Sequence, residues 1–174
     1  MKSKISKLIE HYRFQKLPIE GTLFKNTYTS AQMLKDGPLG TAMIGLYSND
    51  PPSSSCFHRL ASDEVWHFYA GDPFVLYLLY EDGTLQEVRM GNNPLHGDHV
   101  QFTVPSGVWQ AGCLMEDSVY ALFGCTMAPG FSSQSFETGI TEDLVKKYPS
   151  NADIIQKLSF NGSDPKMPQD FFGT

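Results

Sequence analysis

Residues 56–73 read CFHRLASDEVWHFYAGDP, the densest run of polar and aromatic side chains in the sequence. With the two-residue alternation of extended backbone, Cys56, His58 and Leu60 share one face, and after a turn Glu64, Trp66 and Phe68 share another. His67 falls between Trp66 and Phe68, so it points the other way, toward the outer sheet face or a subunit contact. A small β-barrel that turns both faces inward puts His58 and Glu64 on the wall of one pocket. There an imidazole and a carboxylate can transfer protons or hold a metal. The alternative for Glu64 is a rim salt bridge to Arg59 or Arg89.

The same pattern extends in both directions. Apolar and aromatic runs at 22–30 (TLFKNTYTS), 41–48 (TAMIGLYS), 65–71 (VWHFYAG), 74–80 (FVLYLLY), 85–90 (LQEVRM), 99–106 (HVQFTVPS) and 119–127 (VYALFGCTM) are each bounded by Gly, Pro, Asn or Asp. They predict strands between Leu17 and about Met127. With no helical pattern between them, the fold class is all-β, an antiparallel sandwich or barrel. Asp82-Gly83 between two such runs predicts a tight hairpin, because Gly supplies the positive φ. Ile5, Leu8, Ile9 and Tyr12 fall on one helical stripe and predict a helix over 3–13. Thr141 is placed to cap a second helix, with Glu142 and Asp143 in its first turn, Lys146 and Lys147 in its last, and Tyr148-Pro149 as its stop. A third helix is predicted over Ala152–Leu158. The reading is a single domain: barrel core about 17–130, helices about 141–158, and an irregular tail 159–174 whose Phe171 and Phe172 are available for docking.

Composition narrows the partners. The 174 residues carry a formal charge of −6, the wrong sign for a phosphate-backbone binder, so no nucleic acid partner is expected. With 41% hydrophobic residues the chain has ample material for a core. Its 3 cysteines, Cys56, Cys113 and Cys125, lack close spacing, which argues against a disulfide framework or zinc site and for a reducing compartment. The lysine-bearing N-terminus has no continuous apolar segment behind it, and nowhere do 18 apolar residues run together. The expectation is a cytoplasmic protein with no membrane partner.

His58, Glu64 and Gly71 resemble the first cupin motif, with Leu60 where that motif has its second His. Pro105-Ser106-Gly107-Val108-Trp109-Gln110 resembles the second, with Gln110 in place of its His. The sequence is closer still to the cupins grouped as DUF985: His58–Pro73, Pro105–Ala111 and Tyr120–Phe131 are similar to three of their motifs in order. The N-terminal signature survives partly over Pro18–Ser30, as Glu20, Gly21, Phe24, Tyr28 and Ser30, while Asn26 and Thr29 replace a Glu and an Arg. The resemblance, from about residue 7 to 158, implies a jelly-roll barrel (double-stranded β-helix), a homodimer, and a likeness to sugar-nucleotide epimerases. It also implies that two of four usual metal ligands are lost. Glu20 and Tyr28 would lie in the region that covers the barrel opening, and Trp109 at the pocket mouth.

These readings lead to a metal-independent isomerase, epimerase or lyase acting on a small polar or carbohydrate-like molecule, with no cofactor. His58 would be base or acid, Glu64 would orient it, and Tyr28 or Gln110 would donate to a developing oxyanion. A buried Gln110 amide needs a partner, which a ligand could supply. Trp66, Trp109, Phe68 and Glu20 complete the substrate-binding candidates. Two alternatives stay open: a divalent metal ion held by His58, Glu64 and Gln110, and a non-catalytic small-molecule binding or sensor protein. Cys56 and Cys125 read as small apolar core residues rather than nucleophiles.

Overall fold

The computed structural model describes residues 3–162 and 164–168, so the expected docking of Phe171 and Phe172 lies outside the described residues. In chain order the regular elements are α1 (Lys4–Tyr12), β1 (Gln15–Lys16), β2 (Leu23–Thr29), β3 (Met33–Leu34), β4 (Gly37–Pro38), β5 (Thr41–Asn49), β6 (Pro52–Ser53) and β7 (Ser55–Leu60). Then come β8 (Glu64–Gly71), β9 (Phe74–Leu79), β10 (Leu85–Met90), β11 (Gln101–Val104), β12 (Trp109–Leu114), β13 (Tyr120–Met127), β14 (Phe136–Thr138), α2 (Thr141–Lys147) and α3 (Ala152–Leu158). One sheet has the order β1-β2-β5-β13-β8-β11 with β6 paired to β5, the other runs β10-β9-β12-β7-β14, and every strand pair in both is antiparallel. This is the expected jelly roll. The apolar runs predict neither β12 and β14 nor the two-residue β1, β3, β4 and β6; Gly112 masks the patterning of β12, and shortness that of the others.

Between the sheets, Tyr47, Trp66, Phe74 and Phe123 form an aromatic core that fills one end of the sandwich. Gly45 is required there, since a Cβ at that position would come within 2.3 Å of the Phe123 ring. Helix α1, capped by the Ser3 hydroxyl accepting from the Ser6 amide, covers the outer face of the first sheet through Ile5, Leu8, Ile9 and Tyr12 on Leu23, Leu46 and Leu122. Helices α2 and α3 cover the outer face of the second sheet at Phe57, Leu79, Trp109 and Ala111. No described helix is long and apolar enough to cross a membrane. Thr141 does not cap α2: Ile140 occupies the cap position, and the Thr141 hydroxyl donates to the Phe160 carbonyl and to Asn161 Oδ1, tying the helix start to the chain after α3. With one end filled by aromatic rings, the other end of the sandwich is hollow.

Candidate active site

The hollow end is a cavity of about 400 Å³. Its walls come from β2 and the segment before it (Leu17, Glu20, Phe24, Asn26, Thr29), β5 (Thr41, Met43), β7 (His58, Leu60), β8 (Glu64, Trp66) and β13 (Cys125, Met127). Met33, Pro38, Phe131 and Ser132 line it from the β3–β4 hairpin and the segment after β13. Residues 164–168 back its apolar wall, where Met167 packs with Leu17 and Phe24.

His58 is 3% exposed. Its ring stacks on Phe136 at 5.1 Å, and its Nδ1 lies 2.8 Å from the Cys56 carbonyl. A carbonyl only accepts, so Nδ1 carries the proton and Nε2 is left with its lone pair in the neutral ring. Nε2 makes no hydrogen bond among the described residues and sits 3.9 Å from Glu20 Oε2. The other Glu20 oxygen accepts from the Thr22 hydroxyl at 2.5 Å and the Ser55 hydroxyl at 3.0 Å, and Ser55 also bonds Tyr47 in the core. Glu20 is thus anchored from behind with one oxygen facing the imidazole.

Glu64 is held differently. Gln110 Nε2 donates to it at 2.8 Å, and Gln110 Oε1 accepts from the Trp66 indole at 3.0 Å. Burial pushes the Glu64 pKa above the ordinary glutamate range, against the lowering effect of His58, with nearby Glu20 raising it further. Burial also pushes Cys56 up to about 11 and Cys125 well above the ordinary thiol value, so neither supplies a thiolate nucleophile. Arg59 pairs with Glu137 and Arg89 with Asp98, leaving Glu64 free of a rim salt bridge.

Of the candidates read from the sequence, the cavity brings together His58, Glu64, Glu20 and one edge of Trp66. Gln110 is 1% exposed and finds its partners in Trp66 and Glu64 rather than in a ligand. Trp109 precedes Gln110 on β12 and therefore faces the opposite side, under α2 and α3 and beneath the Arg59 guanidinium. Phe68 stacks on Phe74 in the filled end. Tyr28 is 55% exposed and outside the cavity, because an extra residue in β2 between Asn26 and Tyr28 turns it outward and Thr29 inward. A second bulge, in β7, sets Ser55 rather than Cys56 beside His58 in the interior. His67 lies on the outer face, bonded to Thr126 and Gln101.

A family model described as Cupin superfamily (DUF985) matches residues 6–139. The chain belongs to this family. The structure of this DUF985 cupin is similar to that of a hypothetical protein from Leishmania major, with a TM-score of 0.83, 25% identity, and coverage of 91% of this chain and 100% of the other. It is also similar to a protein from Shewanella oneidensis, with a TM-score of 0.82, 28% identity and coverage of 91% and 98%. A cupin 2 conserved barrel domain protein from Rhodopseudomonas palustris shares the fold at a TM-score of 0.55 and 10% identity, over 83% of each chain. No protein with a curated description matches.

The cupin superfamily brings the question of a metal. In this DUF985 cupin Leu60 offers no donor, and the Gln110 oxygen is committed to the Trp66 indole. Among the described residues no three His, Cys, Asp or Glu side chains come together as a metal-holding group. The set of His58, Glu64 and Gln110 read from the sequence therefore does not fit a divalent ion, because Gln110 has no oxygen left to give it.

Proposed function

We propose that this DUF985 cupin binds a small polar molecule in the barrel cavity and moves a proton on it without a metal, as an isomerase, epimerase or lyase. The observation that carries the reading is His58: an imidazole whose tautomer is set by a backbone carbonyl, whose free Nε2 faces the cavity, and whose charged form would have the Glu20 carboxylate 3.9 Å away. In this scheme Nε2 removes the proton, and Glu20 stabilises the resulting imidazolium, as a carboxylate does for an imidazole base. Glu64, whose pKa burial raises, presents a second carboxyl group to the same cavity. Gln110 fixes the Glu64 rotamer and Phe136 the imidazole plane, so both groups are positioned before a substrate arrives.

The test uses exchange with solvent. The protein is incubated in D₂O with a panel of small amines, neutral sugars and keto acids, and deuterium incorporation is read by mass spectrometry. Wild type is expected to label at least one class, His58→Gln to lose about 10²–10⁴ of that rate, the span attributed to a positioned acid or base, and Tyr28→Phe to keep it. Equal labelling by wild type and His58→Gln, or none by wild type, contradicts the reading.

A further inference from the structure

The hydrogen-bonding sense of the cavity points to the chemistry of its occupant. Among the described residues two carboxyl groups and one imidazole line it, and no lysine or arginine does. Arg59, the nearest guanidinium in sequence, is turned out to Glu137 and Trp109. The donors that reach the two carboxyl groups approach from behind: the Thr22 and Ser55 hydroxyls take one oxygen of Glu20, and the Gln110 amide takes one oxygen of Glu64. On its acidic wall the inward groups are acceptors, Glu20 Oε2 and His58 Nε2, the latter without a hydrogen bond among the described residues, while Asn26, Thr29, Thr41 and Ser132 line the wall elsewhere.

An occupant of the acidic wall must therefore bring donors. A carboxylate or phosphate brings acceptors and a like charge, with no lysine or arginine among the described lining residues to answer it. An alcohol brings a single donor. A primary ammonium group brings three donors, no acceptor, and a charge opposite to the carboxylates, in surroundings where water screens little. Leu17, Phe24, Met43, Leu60 and Met127 leave an apolar bay for the rest of the molecule.

We infer that the ligand is a primary amine with an apolar body, its ammonium seated on Glu20 and Glu64. The inference rests on the cavity being the binding site proposed above and names the substrate class for it. It sets aside sugar nucleotides and keto acids, whose anionic groups would meet two carboxyl groups with no lysine or arginine among the described lining residues.

Calorimetric titration at neutral pH and low salt tests it with two matched series: benzylamine, benzyl alcohol and benzoate, then n-hexylamine, 1-hexanol and hexanoate. The amine is expected to bind at least about tenfold more tightly than the alcohol in each series, a gap of about 1.4 kcal/mol, and the anion to show no binding. Glu20→Gln and Glu64→Gln, each confirmed as folded by its cooperative melt, are expected to lose that preference. Alcohol or anion binding as tightly as the amine, or neither amine binding, overturns it. Labelling of a keto acid in the deuterium experiment would overturn this inference and leave proton transfer standing. Amine preference that persists in wild type and in a His58→Gln protein, with no labelling by either, would leave this inference standing and remove the proton transfer.

Discussion

A carboxyl group whose pKa is raised by burial holds its proton more firmly in the folded protein than in the unfolded chain. Glu64 is such a group, and the consequence for stability has a definite sign. Its contribution is fully present below the unfolded value of about 4.3 and is lost as pH rises through the higher folded value, so at neutral pH its ionised form works against the fold. Glu64→Gln keeps an acceptor for the Gln110 amide and removes the charge. It should melt about 2–4 °C above wild type at pH 8, the shift that ~1 kcal/mol gives in a domain of this size, with the gap closing toward pH 4 in a calorimetric series. An unchanged or lower Tm at pH 8 would show that the buried carboxyl group is not destabilising. Glu64, Gln110 and Trp66 were each legible as candidates, but the chain Trp66–Gln110–Glu64 was not, because its links span 44 and 46 residues and depend on register between separate strands. The Thr22–Glu20–Ser55 cluster was hidden for the same reason, its long link spanning 35 residues.

At the scale of elements, the strands follow two-residue alternation except where one extra residue breaks it. His58 and Glu64 fall on stretches where the period holds, and both line the cavity. Tyr28 and Cys56 lie beyond bulges in β2 and β7, and each is displaced from the face that the period assigns it. No residue type at either place marks a bulge, so sequence alone gives the wrong face. Trp109 differs, since the alternation of the pleat alone puts it on the face opposite Gln110. The β9–β10 hairpin was legible in full. Gly83 has φ +86°, its amide donates to the Tyr80 carbonyl, and Asp82 Oδ1 accepts from the Thr84 amide. A Cβ at Gly83 would meet only an ordinary contact with Tyr148, at 3.8 Å, so the cost of Gly83→Ala is one of backbone conformation. It should destabilise the fold by about 1–2 kcal/mol, read by urea denaturation. A loss under ~0.3 kcal/mol would mean that the turn relaxes freely, well short of the strain expected for an L-residue there.

For the whole molecule, a hydrophobic pattern of short strands and three motifs in order were enough for the jelly roll, because closing the sheets is what buries the alternate faces. What fills the barrel was less legible: the aromatic rings occupy one end, and the hollow end is defined by backbone register. The same geometry bears on metal content. With Leu60 apolar and Gln110 committed to Trp66, native mass spectrometry of protein purified without added metal should find well under one equivalent of Fe, Mn, Ni or Zn per chain, and a stoichiometric ion would contradict the donor argument. The account turns on an imidazole nitrogen in the cavity that is free to take a proton. ¹⁵N NMR of the ring nitrogens of His58 in the intact protein, titrated with benzylamine, measures this directly. The predicted result is a neutral ring protonated at Nδ1, with an unprotonated Nε2 resonance that shifts on binding. A neutral ring protonated at Nε2, or an Nε2 signal unmoved by a bound amine, would contradict it.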